Sequence, residues 1–113
     1  LAQPAIICQA PAAIDGDTIR CANLSRPVRL AGIDAPELHG CPRKRRCTPG
    51  NAQASKHALA QLLASGQVTI RPAGDGGFGR MAGRVWAGRV DLNCAMIRQG
   101  HAVRRYQPIR CRA

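Results

Sequence analysis

Two short segments hold four of the six acidic residues in this chain, which carries a formal charge of +11. Asp15 and Asp17 flank a glycine in IDGDTIR, and Asp34 and Glu37 lie in GIDAPEL. Carboxylate oxygens are hard ligands that suit Ca²⁺ or Mg²⁺ better than soft metals. Such a concentration of acidic residues in a cationic protein favours a cation-binding site.

The positions of these residues suggest separate chemical roles. Asp17 follows a hairpin turn and Asp34 ends a neighbouring strand, so their carboxylates can converge on one ion. Glu37 lies beyond a proline, where a general base or a water-positioning group is expected. Arg29 precedes Asp34 on the same strand, and its forked donors match phosphate oxygens, as do those of Arg80. A metal, a base and arginine clamps are the groups needed to hydrolyse a phosphodiester.

Each of these residues also has a purely structural explanation when it is taken alone. Asp-Gly is a common hairpin signal, which makes Asp15 and Asp17 typical turn formers. Asp34 before Ala-Pro is typical of a strand end, and Arg29 and Arg80 are two among many arginines. Only the combination of these residues favours a catalytic site.

The charge balance indicates an anionic partner. Lysine and arginine number 17 against 6 acidic residues, and such an excess favours nucleic acid first and acidic lipid second. The excess consists mainly of arginines, which a biased genome composition also explains. A run of four bases follows Glu37, namely Arg43, Lys44, Arg45 and Arg46. This run is interpreted either as a solvated surface or as a contact to the nucleic-acid backbone.

The six cysteines favour three disulfide bonds and an oxidising compartment, which means a secreted or periplasmic protein. A zinc site is not expected, because no CxxC pair is present and the three histidines are scattered. Other pairings stay open, but proximity along the chain favours Cys8 with Cys21, Cys41 with Cys47, and Cys94 with Cys111.

The length and the apolar fraction of 45% predict one domain over residues 1–113. Strands are predicted over 5–14, in TIRCANL and over 26–34, then in QVTIRPA and MAGRVWAG, with GDGG as a turn. Helices are predicted in NAQASKHALAQLLASG and DLNCAMIRQG, ended by Gly66 and Gly100. This order of elements is compatible with either an OB-type barrel or an open α+β sheet.

Four segments together resemble the thermonuclease family, the staphylococcal-nuclease-like domains: IDGDTIR, VRLAGIDAPEL, the pair Gly79-Arg80, and DLNCAMIRQGHAV. The resemblance covers roughly residues 5–107. It implies an α+β fold in which a five-stranded OB-type β-barrel carries an inserted helix and a second short helix. It also implies a Ca²⁺-dependent endonuclease that cleaves DNA and RNA.

The resemblance assigns roles by motif. Asp17 and Asp34 are the implied ligands of one Ca²⁺ ion, together with the backbone carbonyl of Ala35. Asp15 is placed near the metal without binding it, and Glu37 is the implied general base. Arg29 and Arg80 are the implied phosphate clamps. Phe78 and Tyr106 are the implied aromatic contacts to the substrate.

No base-reading module is visible, so cleavage with little sequence preference by a monomer is expected. The main alternative is a non-catalytic nucleic-acid-binding module of the same fold. A membrane-active cationic protein is disfavoured, because the best predicted helix carries only Lys56 and His57 as cations. We therefore expect DNA or RNA, and not a membrane, to be the partner.

Overall fold

The computed structural model describes residues 4–112, so both ends of the predicted domain, residues 1–3 and 113, lie outside it. The described residues form a mixed α+β structure with three disulfide bonds. The strands are β1 (Ile6–Ile7), β2 (Ala12–Ala13), β3 (Thr18–Arg20), β4 (Val28–Leu30), β5 (Ile33–Asp34), β6 (Val68–Gly77), β7 (Arg80–Ala87), β8 (Val90–Asp91) and β9 (Val103–Arg104). The helices are α1 (Ala52–Leu63) and α2 (Leu92–Arg98).

Most strands belong to one sheet with the order β1-β6-β7-β4-β3-β2, and β8 pairs with β7. β4 and β7 run parallel, and the other neighbours are antiparallel. β5 and β9 form a separate pair. Strand pairing within residues 4–112 does not close into a barrel; instead the Cys8–Cys21 disulfide and the bond from the Ala22 amide to the Gln9 carbonyl join the segments after β1 and β3.

The predicted strands are present, but several are divided. Pro11, which has no amide hydrogen to donate, separates β1 from β2, and Gly32 at φ +76° turns the chain between β4 and β5. The predicted GDGG turn is wrong, because β6 continues through it with two register shifts and the chain turns at Phe78 and Gly79. Bulges of this kind let a glycine-rich strand bend without ending.

Both predicted helices form, with side-chain caps at their first turns. The Asn51 side chain accepts a hydrogen bond from the Ala54 amide at α1, and Asp91 caps α2 in the same way. Gly100, at φ +76°, ends α2 as predicted. Gly66 does not end α1, which stops at Leu63; a Cβ at Gly66 would lie 2.8 Å from the backbone of the β7–β8 turn.

The core is aliphatic and is crossed by one buried amide. Its fully buried side chains come from strands and from both helices: Ile19, Val28, Leu30, Ile33, Leu59, Ile70, Val85, Leu92 and Met96. Asn93 of α2 is fully buried, donates to the carbonyls of Ala31 and Gly83, and accepts from the Val85 amide. This residue ties α2 to β7 and to the turn after β4, close to the acidic segments.

The disulfides join the pairs that chain proximity favoured: Cys8–Cys21, Cys41–Cys47 and Cys94–Cys111. Neither helix within residues 4–112 is long and apolar enough to span a bilayer. Three disulfides in a chain of this size are typical of proteins from oxidising compartments.

Candidate active site

The ends of three short strands bring the acidic segments together. Thr18 of β3 pairs with Arg29 of β4, which places Asp17 beside Leu30, whose amide donates to the Asp17 carbonyl. After the turn at Gly32 the chain returns through β5, which ends at Asp34. The β3–β4 register and the turn at Gly32 therefore bring Asp17 and Asp34 together, although 17 positions separate them in the sequence.

Arg29 lies between the two carboxylates. Its Nη2 atom is 3.4 Å from Asp17 Oδ2 and 3.1 Å from Asp34 Oδ1, and its Nη1 atom donates to the Ile33 carbonyl at 2.9 Å. The three residues are 8%, 6% and 0% exposed for Arg29, Asp17 and Asp34. One guanidinium thus contacts two buried carboxylates through Nη2 and a backbone carbonyl through Nη1, a set of contacts that uses the several donors of an arginine.

The Asp17 carboxylate is held in place but is poorly neutralised. Its Oδ2 atom accepts from the Ala35 amide at 2.9 Å, and its Oδ1 atom lies 3.0 Å from the Thr18 hydroxyl. Burial raises the pKa of Asp17 to about 7, an effect that Arg29 opposes and the nearby charge of Asp15 increases. Asp15 itself accepts a hydrogen bond from the Asp17 amide, as expected of a turn former.

Gly16, between the two aspartates, is required by packing. A Cβ at this position would lie 2.7 Å from the Ser55 Cβ of α1 and 2.8 Å from the Ala35 Cβ. Ser55 is buried, and its hydroxyl donates to the His101 carbonyl at 2.8 Å. The acidic turn is therefore pressed against α1, which fixes the position of Asp17.

Asp34 accepts hydrogen bonds from more donors than the motif predicts. Arg45 Nη2 lies 3.3 Å from its Oδ1 atom, and the Thr48 hydroxyl and Arg105 Nη1 lie 2.7 and 3.0 Å from its Oδ2 atom. Together with Arg29 these donors surround the fully buried carboxylate. Sequence reasoning missed Thr48, which gives no signal in its segment, and Arg105, whose position next to Tyr106 was the available signal.

Glu37 forms an ion pair with a residue of the basic run. Arg45 Nη1 is 2.5 Å from Glu37 Oε1, and Arg45 Nη2 is 3.2 Å from the Tyr106 hydroxyl. The Glu37 side chain remains 27% exposed, so it borders both the carboxylate cluster and solvent. All four bases of the run, Arg43, Lys44, Arg45 and Arg46, are exposed, and within residues 4–112 Arg45 is the one that pairs with acidic residues.

A cavity of about 610 Å³, which we call the cleft, opens beside these groups. Its lining includes Arg29, Arg45, Arg80, Phe78 and Tyr106. The Arg80 guanidinium lies 5.5 Å from the Phe78 ring centroid, and that of Arg29 lies 5.4 Å from the Tyr106 centroid. The cleft thus combines cationic and aromatic groups, a chemistry that suits a phosphate linked to a nucleoside.

The two aromatic residues of the cleft project from strained backbone. Phe78 has φ +54° and is 97% exposed, and Tyr106 has φ +66° and is 63% exposed. Bulky residues seldom adopt a positive φ, which costs on the order of 1 kcal/mol or more. Such strain at exposed aromatic residues is typical of binding sites.

The donor set around Asp17 and Asp34 fits a hard cation. Asp17 Oδ2 and Asp34 Oδ1 both lie within 3.4 Å of Arg29 Nη2, and the carbonyl of the buried residue Ala35 accepts no hydrogen bond within residues 4–112. Within residues 4–112, no group of three or more acidic, histidine or cysteine side chains is placed so that it could hold a metal ion. Binding would therefore rely on two carboxylates, a backbone carbonyl and water, a set that is ordinary for Ca²⁺. It would also require the arginines around Asp34 to yield part of their contacts.

Sequence comparison identifies the family to which a chain with this fold and these motifs belongs. The staphylococcal nuclease homologue model matches residues 27–112, and the chain belongs to that family. The match includes Arg29, Asp34, Glu37 and Arg80 but begins after Asp17.

The chain is also 32% identical, over 98 residues, to an uncharacterized endonuclease of Haemophilus influenzae (strain ATCC 51907 / DSM 11121 / KW20 / Rd). That alignment covers 84% of this chain and 50% of the relative, so the chain spans about half of the relative's length.

Proposed function

We propose that this protein is a Ca²⁺-dependent endonuclease that hydrolyses phosphodiester bonds in DNA and RNA with little sequence preference. The observation that carries the proposal is the buried Asp17–Arg29–Asp34 cluster beside a cleft that Arg29 and Arg80 line. Glu37 reaches this cleft through its ion pair with Arg45, which is also a lining residue. A bound Ca²⁺ ion would supply positive charge that polarises the phosphate. Asp17, Asp34 and the Ala35 carbonyl are its proposed ligands, and Asp15 adds negative charge nearby.

Arg29 and Arg80 are proposed to hold the phosphate from two sides of the cleft. Arg29 is fixed by its carboxylates and by backbone carbonyls, whereas Arg80 is oriented by the carbonyls of Gly76 and Gly77 at 3.1 and 2.9 Å. Prearranged donors of this kind stabilise the charge that develops on phosphate oxygens without reorganising during the reaction. Phe78 and Tyr106 offer faces on which bases of any identity can stack.

Glu37 is proposed as the general base that takes a proton from the attacking water. Its partner Arg45 must first release it, because the guanidinium contacts the Glu37 Oε1 atom that the water would approach. Arg45 has alternative acceptors on Asp34 and on Tyr106, both within 3.3 Å. Substrate phosphate in the cleft is a further acceptor for Arg45 and would free Glu37 as substrate binds.

The first experiment is cleavage of plasmid DNA and of RNA with added Ca²⁺ and with excess chelator. We expect both substrates to be cut only when Ca²⁺ is present. Binding without cleavage under both conditions would support the alternative, a non-catalytic nucleic-acid-binding module. A second readout is independent of activity: Ca²⁺ should raise the melting temperature of the wild type and not that of Asp17→Asn.

The second experiment replaces the proposed base. Glu37→Gln should lower kcat about 10²- to 10⁴-fold, the usual contribution of a general base, with little change in stability because the side chain is partly exposed. Asp75→Asn is the matched control, since Asp75 lines the same cleft and forms no ion pair within residues 4–112. Similar losses in both variants would contradict the assignment.

Two finer features belong to this proposal. We infer the OB-type barrel of the family, with five strands in the divided form described above, because the Cys8–Cys21 link spans the gap in strand pairing. We also infer that the protein works as a monomer in a secreted or periplasmic location, since three disulfides persist best under oxidising conditions.

A further inference from the structure

A second cavity of about 900 Å³, which we call the second groove, lies between the β7–β8 turn, α2 and the C-terminal segment. It shares no lining residue with the cleft. Its lining includes Trp86 and four arginines: Arg89, Arg98, Arg110 and Arg112. The roles assigned above use none of these five residues.

Within the described residues, the four arginines that line the second groove have no acidic partner. Asp91 is the only acidic residue in the lining, and Arg84 already neutralises it. The guanidinium groups of the four lining arginines form no ion pair within residues 4–112, and all four residues are exposed. Uncompensated positive charge around a concave surface attracts a polyanion and concentrates it there.

The walls of the second groove are held in place. Arg84 donates to the Arg110 carbonyl at 3.1 Å and lies over the Trp86 ring, 5.8 Å from its centroid. The Cys94–Cys111 disulfide fastens the C-terminal segment to α2. The basic residues of this segment are therefore presented on a supported backbone, which lowers the entropic cost of binding.

The outer face of β7 connects the two cavities. Residues two apart on a strand share a face, so Arg80 and Ala82 of the cleft lie on the same side of β7 as Trp86 of the second groove. Arg84 lies between them and pairs in register with Arg71 of β6, which is exposed. Two like charges opposite each other are unfavourable. Asp91 compensates the charge of Arg84, whereas Arg71 forms no ion pair within residues 4–112 and can contact an anion.

The separation suits a nucleic-acid strand. From Arg80 to Trp86 an extended strand covers about 20 Å, which is the length of about six base pairs of duplex. The C-terminal segment makes the same connection, because Tyr106 and Gln107 line the cleft and Arg110 and Arg112 line the second groove. Two parallel routes of basic residues thus lead away from the cleft.

We propose that the second groove is an accessory nucleic-acid site that binds backbone phosphates of the strand whose scissile bond lies in the cleft. This inference rests on the proposed nuclease function, because both cavities then act on one bound strand. The Trp86 ring contributes a stacking surface, and Arg89, Arg98, Arg110 and Arg112 contribute phosphate contacts.

Trp86 is the only tryptophan in the chain, so its fluorescence reports on the second groove directly. In chelator, titration with single-stranded DNA of about 16 nucleotides should change this fluorescence, whereas DNA of about 4 nucleotides should change it much less. The longer DNA reaches both cavities and the shorter fills the cleft alone. Equal responses, or no response to either, would overturn the proposal.

The variant for this test is the double substitution Arg89→Ser with Arg98→Ser, and its control is Arg20→Ser with Arg26→Ser. The control removes the same charge from exposed residues that line neither cavity. We expect the groove variant to weaken binding of the longer DNA by tenfold or more and to reduce the salt slope by about 2, with a threefold effect at most in the control. Equal losses of affinity in the two variants would show that the groove arginines contribute only general electrostatic attraction, which would refute the proposal.

Two further measurements separate the possible failures. If vesicles rich in phosphatidylserine change the Trp86 fluorescence and DNA does not, the second groove binds a lipid surface and the proposal is refuted. If the wild type cleaves plasmid but the groove variant and the control variant have the same DNA affinity, the accessory site is refuted and the nuclease function stands. Groove binding by a wild type that does not cleave would refute the nuclease function alone.

Discussion

The cleft and the second groove use the same residue type in opposite ways. In the cleft, Arg29 and Arg45 are bound to carboxylates, so their charges hold the site together before any ligand arrives. In the second groove, Arg89 and Arg98 are exposed and form no ion pair within the described residues. Neutralised arginines fix geometry, whereas free arginines supply attraction; a count of arginines in the sequence does not distinguish the two.

The largest effect is expected at Arg29. Arg29→Ala should lower kcat/KM by several orders of magnitude and reduce the free energy of unfolding by about 3–5 kcal/mol, because two buried carboxylates lose their shared partner. Arg80→Ala should lower activity with much less loss of stability, since its guanidinium contacts backbone carbonyls and no carboxylate. Denaturant unfolding and initial rates measure both quantities. Equal stability of the two variants would remove the distinction between them.

The next effect concerns the ionisation of Asp17. Because its pKa is raised from 3.8 to about 7, the protonated form stabilises the folded protein below pH 4, and that contribution is lost as pH rises through 7. Asp17→Asn cannot ionise, so without metal it should become more stable than the wild type as pH rises, by on the order of 4 kcal/mol above pH 7. Chemical denaturation at several pH values tests this. A stability difference independent of pH would contradict it.

A smaller effect should separate the two regions through their disulfides. The Cys94–Cys111 disulfide closes a loop of 17 residues, and its removal should lower the free energy of unfolding by about 3 kcal/mol. It should lower the affinity for DNA by a larger factor than it lowers kcat. Removing Cys41–Cys47, which closes 6, should cost about 2 kcal/mol and lower kcat, because the enclosed Arg45 contacts Glu37 and Asp34. Paired serine variants, assayed for melting, affinity and turnover, measure this. Identical profiles would argue against the separation.

The smallest effect is expected in the exposed part of the basic run. Arg43→Ser with Arg46→Ser should raise KM only a few-fold at low salt, and the difference should vanish at high salt, because exposed charges are screened. Arg45→Ser should instead lower kcat at any salt concentration. A salt-independent loss in the double variant would place those residues among the direct contacts of the site.

Sequence reasoning reached the elements and the acidic motifs because both are local signals. The first helix follows from its apolar spacing and the second from its terminal Gly100, and the disulfides follow from proximity along the chain. The bent end of β6 was missed, since four turn-forming residues looked like a turn and only pairing with β7 keeps them extended. In this segment, pairing with the neighbouring strand overrides the local preference of these residues for a turn.

The candidate site divides in the same way. The assigned positions Asp17, Arg29 and Asp34 meet because the β3–β4 register and the turn at Gly32 bring the two motifs together. Thr48 and Arg105 reach Asp34 from segments 14 and 71 positions away, contacts that no spacing rule predicts. The raised pKa of Asp17 also follows from burial, which a sequence does not reveal.

The left-handed backbone at Phe78 and Tyr106 has a consequence for how such a protein can change. Glycine or asparagine would relax either position, so selection for stability alone favours replacing both rings. Phe78→Gly should therefore melt at a higher temperature than Phe78→Ala, while both lose the stacking surface. If the rings bind substrate, the protein gives up stability at these two positions in return for affinity. Variants that are more thermostable and still active should then carry their stabilising substitutions at other positions.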